Sequence, residues 1–351
     1  MTAVHVLLLI GCAAAIYLAC EWFVNAIEWL GVELGVGTMA VGTVLAAIGT
    51  ALPESVVTLV AVLSGSAEAG KAIGVGAALG GPLVLATLAY AVVGVLLLLR
   101  RARVRRDAAR VDGGGAPGHA VEVGDEFARV DRRRLALDQS WFLVIAGTAL
   151  VLGLVAFPGK AVLGLAFIAG YAVYVRKELS GDDPAHTADD LAALRIWRRE
   201  SEPPGWAVVA QTIGSLVVVV LASQLFVRQL EWAGPELGLP PAAVALLLAP
   251  VATELPEVLN AVIWARQGKT QLAMANISGA MMVQATVPAG IGLLFTPWHF
   301  DNVLVSASLA TLGAVTYLRL LAVSDRLRPG WVTGTAAFYG AFAVALAVEL
   351  R

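Results

Sequence analysis

Charged residues are scarce in this chain, and their scarcity decides its class. Only 14% of the 351 residues are charged, 59% are hydrophobic, and the mean hydropathy is +0.80. A soluble globular protein has about a quarter charged residues, so this composition indicates a membrane protein. The net charge of −2 does not point to a nucleic acid, and we expect no nucleic-acid partner.

Residues that would support other functions are also few. The only cysteines, Cys12 and Cys20, both lie in the first apolar segment, so they make neither a disulfide framework nor the spacing of a metal site. The apolar segments contain no aspartate dyad, serine–histidine pair or histidine-rich motif, which argues against an intramembrane hydrolase. No segment resembles the filter loop of a channel. We therefore predict a protein that is not an enzyme and that needs no cofactor apart from transported ions.

Long apolar runs predict an all-α polytopic membrane protein. Because a span needs about 20 apolar residues, we predict ten transmembrane helices, at residues 3–30, 36–64, 70–99, 139–157, 160–176, 206–232, 240–265, 270–295, 301–321 and 330–349. No basic residue precedes Lys71, so the first segment is predicted to be a retained span and not a signal peptide. Most Lys and Arg residues fall in alternate loops, which predicts that those loops are cytoplasmic and that both termini are outside the cell membrane.

An internal repeat divides the chain. Half of the positions in residues 23–54 are identical to those in 226–257 without a gap. The two copies start at equivalent helices, so each repeat has five spans, and an odd number inverts the second copy. We therefore predict a first repeat at 1–176 (which includes a flexible cytoplasmic loop at 100–137), a linker at 177–205 and a second repeat at 206–351. Inverted repeats with a site at the bilayer midplane are typical of secondary transporters.

Each repeat carries a proline near the middle of a span, in GTALPES (residues 49–55) and ATELPEV (residues 252–258). A proline removes the hydrogen bond to the carbonyl four residues earlier. Pro53 and Pro256 are therefore predicted to break their helices and to free the carbonyls of Gly49 and Ala252.

A threonine and a glutamate accompany each proline. Thr50 and Glu54 have i, i+4 spacing, as do Thr253 and Glu257, so each pair shares a helical face. Two inverted copies would bring these groups together at the midplane. The resulting cage of carboxylate, hydroxyl and carbonyl oxygens suits a hard cation such as Ca²⁺.

Further polar residues near the site occur mainly in the second repeat. Glu254 lies i, i+3 from Glu257, and three neighbouring carboxylates without a cation cannot all stay ionised, so one should carry a proton. Asn276 and Gln284 add polar atoms to helix eight, whereas the first repeat has mainly glycine and alanine there. The site is therefore predicted to be asymmetric. Glu28 is one of several polar residues on helices one and six, most of which lie near a membrane surface, where snorkelling or pairing is the expected role.

The motifs GTALPE and GVGAALGGP, followed by ATELPE and ANISGAM, resemble the two α-repeats of the cation/Ca²⁺ exchanger superfamily. The resemblance implies that Glu54 and Glu257 are the central Ca²⁺ carboxylates. It also has departures. A family serine is replaced by Glu254, another by Gly81, and a family asparagine or aspartate by Gln284.

In sodium-coupled members these serines and polar residues help to form sodium sites, so the departures leave the coupling ion open. We expect an antiporter that exchanges a divalent cation, Ca²⁺ first, for Na⁺ or H⁺. The alternatives are a proton-coupled exchanger of another cation, and a channel-like or non-transporting member of the family.

Overall fold

The computed structural model describes residues 2–51, 55, 59, 69–111, 127, 130–180, 191–197, 202–236, 247 and 249–349. The regular secondary structure in these ranges is helical. The helices are α1 (Thr2–Glu33), α2 (Thr38–Ala51), α3 (Ala69–Val84), α4 (Tyr90–Val111), α5 (Arg132–Leu154), α6 (Leu163–Leu179), α7 (Gly205–Glu236), α8 (Ala249–Thr253), α9 (Leu255–Arg266), α10 (Thr270–Phe295), α11 (Asn302–Val323) and α12 (Pro329–Glu349).

Seven of the helices in the described ranges are long and apolar enough to cross a membrane. They include α1, α5, α10, α11 and α12. The protein is therefore an all-helical integral membrane protein, as its composition predicts. The arrangement as ten spans in two inverted repeats stays a prediction.

Two of the predicted boundaries are wrong for a common reason. The predicted loop at 100–137 begins with residues that belong to α4, which continues to Val111, and it ends within α5, which begins at Arg132. Arginine and alanine are strong helix formers, so the helices continue beyond their apolar parts. The carboxylate of Asp131 caps α5 by accepting a hydrogen bond from the Arg134 backbone N–H at 3.0 Å.

Helix α10 lies at the centre of the protein. It contacts α2, α3, α5, α6 and α9. In its most apolar stretch of 18 residues, 83% of the residues are buried. Helices α1 and α7 instead pack along each other. In the corresponding 18-residue stretches, only 28% of the residues of α1 and 33% of those of α7 are buried. The fold thus has a dense core around α10 and a more exposed pair of long helices beside it.

Small residues allow α2 and α10 to approach closely. A Cβ atom added at Gly279 would collide with the backbone of Thr43, and one added at Gly42 would lie 3.0 Å from the Cβ of Ala275. Helix α2 has π-helical geometry over this stretch, from Val41 to Ala46. Backbone contact of this kind is a common way to hold membrane helices together.

The segment 191–197 between the two halves of the chain is attached to the α1–α7 pair. Asn25 and Trp29 of α1 donate hydrogen bonds to the Ala192 carbonyl at 3.2 and 2.9 Å. Gln211 of α7 accepts a hydrogen bond from the Ile196 backbone N–H at 3.0 Å. These polar residues therefore anchor the linker.

Candidate cation site

The helix that carries the second proline–glutamate motif is broken at the predicted place. Helix α8 ends at Thr253, α9 begins at Leu255, and Glu254 lies between them. Pro256 has no N–H to donate, and its ring is well placed in the first turn of a new helix. The break places Glu257 in the first turn of α9, where the partial positive charge of the helix N-terminus favours an anionic side chain.

Both acidic residues at this break are buried. Glu254 is 1% exposed and Glu257 is 0% exposed. Glu254 accepts a hydrogen bond from Gln284 Nε2 to its Oε2 atom at 2.7 Å. Neither carboxylate oxygen of Glu257 has a hydrogen-bond partner of ordinary geometry among the described residues. A carboxylate at such depth is costly unless something compensates its charge.

Asparagine side chains surround Glu257 on two helices. Asn276 of α10 donates from Nδ2 to the backbone carbonyl of Glu257 at 3.1 Å, and its own Oδ1 has no partner among the described residues. Asn260 follows Glu257 by one helical turn on α9. It is 0% exposed, and neither atom of its amide group has a described partner.

Sequence reasoning had missed Asn260, although its i, i+3 spacing from Glu257 inside a predicted span could have identified it. The sequence could not reveal that the amide group lacks partners, because that depends on the packing of α9 against α10.

The first proline–glutamate motif is described only in part, because Pro53 and Glu54 lie outside the described residues. Thr50, which is 2% exposed, is close enough to interact with the Glu257 carboxylate. Its own hydroxyl hydrogen bond goes to the Ala46 carbonyl at 3.1 Å. Gly49 packs against α1, since a Cβ atom there would lie 2.9 Å from the ring of Phe23. Part of the first motif is therefore beside the second.

Gly81 places helix α3 against the same group of residues. A Cβ atom added to Gly81 would lie 2.6 Å from Glu254 Oε1 and would also collide with Gln284 Oε1. The glycine therefore provides the space that the Glu254–Gln284 pair occupies. Ala252 and Thr253 lie just before the break, and the Thr253 hydroxyl donates to the Pro250 carbonyl at 3.1 Å.

The predicted site residues that the structure brings together are thus on α2, on the α8–α9 break and on α10. Several oxygen atoms in this region are buried and have no described hydrogen-bond partner: Glu257 Oε1 and Oε2, Asn260 Oδ1, Asn276 Oδ1 and Gln284 Oε1. Unpartnered buried oxygens are rare, and each needs an explanation. A hard cation takes oxygen ligands of these types.

Other metal chemistry has less support in these residues. Within the described part of the chain, no three His, Cys, Asp or Glu side chains are grouped closely enough to hold a metal ion. Among the described residues, a ligand set here would combine Glu254 and Glu257 with amide or backbone oxygens.

The sequence matches the family described as "Sodium/calcium exchanger protein" over residues 4–176 and 207–349. The chain belongs to this family. The match includes both proline–glutamate motifs and leaves out residues 177–206. Members of this family are ion exchangers and not enzymes.

Two curated relatives in this family align along most of their length. Inner membrane protein YrbG of Escherichia coli (strain K12) is 26% identical over 319 residues, which are 89% of this chain and 86% of that protein. Sodium/calcium exchanger MaX1 of Methanosarcina acetivorans is 24% identical over 337 residues, which are 94% of this chain and 93% of that protein.

A solved structure has the same fold. The sodium–calcium exchanger NCX_Mj, soaked with 10 mM Na⁺ and zero Ca²⁺, superposes with a TM-score of 0.71 over 100% of both chains, at 18% sequence identity. A second structure of NCX_Mj, soaked with 2.5 mM Na⁺ and 10 mM Sr²⁺, gives a TM-score of 0.70 over 99% of both chains.

Proposed function

We propose that this exchanger moves a divalent cation, Ca²⁺ in the first instance, across the cell membrane in exchange for Na⁺ or H⁺. The observation that carries the proposal is the set of buried oxygens on α9 and α10 around Glu257 that have no hydrogen-bond partner among the described residues. The printed name of MaX1, a sodium/calcium exchanger, supports the same choice of ions.

The charge of the site explains why ions would compete for it. Buried carboxylates need compensating positive charge, because transfer of an isolated ion out of water is costly. One Ca²⁺ ion provides two positive charges to the carboxylates of Glu54 and Glu257. Monovalent cations must bind in larger number to provide the same charge. Since the same carboxylates serve both kinds of ion, loading of one kind expels the other.

The ten-span inverted repeat is the frame that this proposal needs. An inverted first repeat would bring Glu54 to the midplane opposite Glu257, and Thr50 already lies beside Glu257. Alternating access would come from movement of the α1–α7 pair against the core around α10. The extensive contact of α1 and α7 with each other supports this division into a moving and a fixed part.

The identity of the coupling ion depends on Glu254. This chain has a carboxylate and an amide, Glu254 and Gln284, at two of the positions where sodium-coupled members of the superfamily place sodium ligands. Glu254 adds a carboxylate that a proton can neutralise without any further ligand. Proton coupling is therefore the second candidate, and Na⁺ coupling is the first.

Ion flux into proteoliposomes tests the proposal. Na⁺ and pH gradients are imposed separately on the wild type and on three variants, Glu54→Gln, Glu257→Gln and Glu254→Gln. We expect Ca²⁺ uptake to be abolished by either central variant. The exposed Glu202 provides a control, and Glu202→Gln should transport as the wild type does.

Each outcome separates the alternatives. Normal transport by both Glu54→Gln and Glu257→Gln would rule out the proposed site. Uptake driven by Na⁺ and unchanged in Glu254→Gln would exclude proton coupling through that residue. Conduction far above the turnover of an antiporter would indicate a channel-like protein.

A further inference from the structure

A second group of buried polar residues lies away from the candidate cation site, where the start of α5 meets the end of α6. A surface cavity of 230 Å³ there is lined by Asp131, Arg133, Arg134, Leu137, Asp138, Lys177 and Glu178. Asp131, Arg133 and Leu137 are exposed, so the cavity is open to its surroundings. Asp138 is only 3% exposed, although it belongs to the cavity wall.

The two deep carboxylates of this cavity have different surroundings. Glu178 accepts hydrogen bonds to Oε2 from Arg134 Nη2 at 2.8 Å and from the Thr43 hydroxyl at 3.0 Å. The Oδ2 atom of Asp138 is buried and has no partner among the described residues. Glu178 is thus satisfied by its neighbours, and Asp138 is not.

A tyrosine near these carboxylates also lacks a hydrogen-bond partner among the described residues. Tyr174 of α6 is 0% exposed, and its hydroxyl has no hydrogen-bond partner among the described residues. Its phenol group is within electrostatic range of both Asp138 and Glu178. A hydroxyl and a carboxyl oxygen that are both buried without partners indicate a site at which something binds and leaves.

The charges around Asp138 favour a proton over a metal ion. The charged and titratable groups that face it are Glu178, Lys177 and Tyr174 from α6, Arg134 and Asp131 from α5 and its cap, and Tyr90 from α4. A metal ion would meet the fixed positive charges of Arg134 and Lys177 at short range. A proton forms a neutral carboxyl group, which is the form that burial without hydrogen bonds favours.

Polar contacts connect this group to α10. Gln139, the residue after Asp138, donates from Nε2 to the Tyr90 hydroxyl and to Ser278 Oγ, both at 3.0 Å. Tyr90 and Ser278 share a further hydrogen bond of 2.8 Å. Ser278 is two residues from Asn276, the amide that binds the Glu257 backbone. Asp138 interacts electrostatically with Tyr90, so a change of charge at Asp138 acts on a hydrogen-bonded group that includes Ser278 of α10.

We propose that Asp138 is a proton-binding site, separate from the cation site, that exchanges protons with solvent in the cavity and sets the pH dependence of ion exchange. The proton passes from solvent to a carboxylate oxygen of Asp138 and forms an O–H bond, and release is the reverse step. The effect on exchange rests on the proposed function, whereas proton binding itself does not.

Two measurements on the full-length protein test this inference. The first is the pH profile of Ca²⁺ uptake into proteoliposomes for wild type, Asp138→Asn and Asp301→Asn. Asparagine has the shape of the protonated carboxyl and cannot ionise, so Asp138→Asn should lose the pH-dependent step due to this residue. Asp301→Asn makes the same chemical change at the exposed N-cap of α11, outside the cavity, and asparagine caps a helix equally well, so its profile should match the wild type.

The second measurement is infrared difference spectroscopy between high and low pH, which needs no transport. The wild type should show a carbonyl-stretch band of a carboxyl group that gains a proton, and Asp138→Asn should lack that band. If Asp138→Asn fails to fold, Asp138→Glu replaces it and should keep the band and the pH-dependent step with a shifted midpoint.

The outcomes separate this inference from the proposed function. Absence of any Ca²⁺ exchange by the wild type would contradict the proposed function and leave the infrared result to decide on Asp138. A difference spectrum unchanged by Asp138→Asn, or unshifted by Asp138→Glu, would overturn the proton site. A band lost without any change in the pH profile would overturn its role in exchange.

Discussion

Glu28 of α1 makes an ion pair with Lys269 that holds α1 against the core, and replacement of Glu28 tests this contact. Its carboxylate accepts hydrogen bonds from Trp264 Nε1 at 2.7 Å and from Lys269 Nζ at 2.7 and 2.6 Å. The side chains of Glu28 and Lys269 are 5% and 28% exposed. The contact therefore joins α1 to the connection between α9 and α10.

The expected magnitude follows from this geometry. Loss of one partner of a fully buried ion pair costs about 3–5 kcal/mol, and a hydrogen bond to a charged group contributes about 1.5–3 kcal/mol. Lys269 is partly exposed and can be hydrated when its partner is lost, so we expect a smaller loss of stability than for a fully buried ion pair. Glutamine at position 28 can still accept from Trp264. The Glu28→Gln substitution should therefore lower the free energy of unfolding by about 2 kcal/mol.

A double-mutant cycle isolates the pair. Glu28→Gln, Lys269→Gln and the double variant are unfolded with denaturant in detergent micelles, and the coupling energy should be about 2 kcal/mol. The Arg132–Asp325 ion pair is the control, because the Asp325 side chain is 84% exposed and such surface pairs contribute about 0–1 kcal/mol. Additive effects of Glu28→Gln and Lys269→Gln would show that the two side chains do not stabilise each other.

Three further predictions concern single positions. Gly279→Ala should lower the thermal melting temperature, because its Cβ would collide with the Thr43 backbone. Gly147→Ala is the control and should be neutral or stabilising, because no atom of the described residues lies within 4 Å of a Cβ there. Equal effects of the two substitutions would contradict the close approach of α2 and α10. Lys160→Met should lower the free energy of unfolding by about 2–4 kcal/mol, because Nζ donates to three backbone carbonyls at 2.9–3.0 Å, and an unchanged denaturation midpoint would contradict this role. Asn260→Leu should leave thermal stability unchanged or higher but weaken Ca²⁺ binding measured by calorimetry, and the opposite pattern would assign the amide a structural role.

The break beside Pro256 could be predicted from the sequence because it follows from covalent structure. Proline lacks an N–H in any environment, so the hydrogen bond to the Ala252 carbonyl is lost, and the helix is interrupted near Glu254, although Pro82 and Pro288 lie inside α3 and α10. The membrane class followed in the same way from composition. The pairing expected of Glu28 is also confirmed by its contacts with Trp264 and Lys269.

The partners of individual polar side chains could not be predicted, because they depend on how neighbouring helices are aligned. Glu254 and Gln284 lie 30 positions apart in the chain, and only the alignment of α8–α9 with α10 brings them to 2.7 Å. The start of α5 was missed for another reason. It contains Arg134, Asp138 and Gln139, whose polarity hides the helix from a search for apolar runs. The positions of Pro53 and Glu54 relative to this site stay a prediction.

The departures from the superfamily pattern make physical sense as one change. Gly81 occupies the position of a family serine, Glu254 that of another, and Gln284 that of a family asparagine or aspartate. In this structure the Glu254 carboxylate accepts a hydrogen bond from Gln284, and the missing side chain at position 81 provides space for both. A family member with an aspartate at position 284 has a carboxylate on α10. This chain has the amide of Gln284 there and has the carboxylate of Glu254 at the break before α9. Under the proposed function, the acidic group has a different position relative to Glu257, and we expect this change to alter which cations the site prefers.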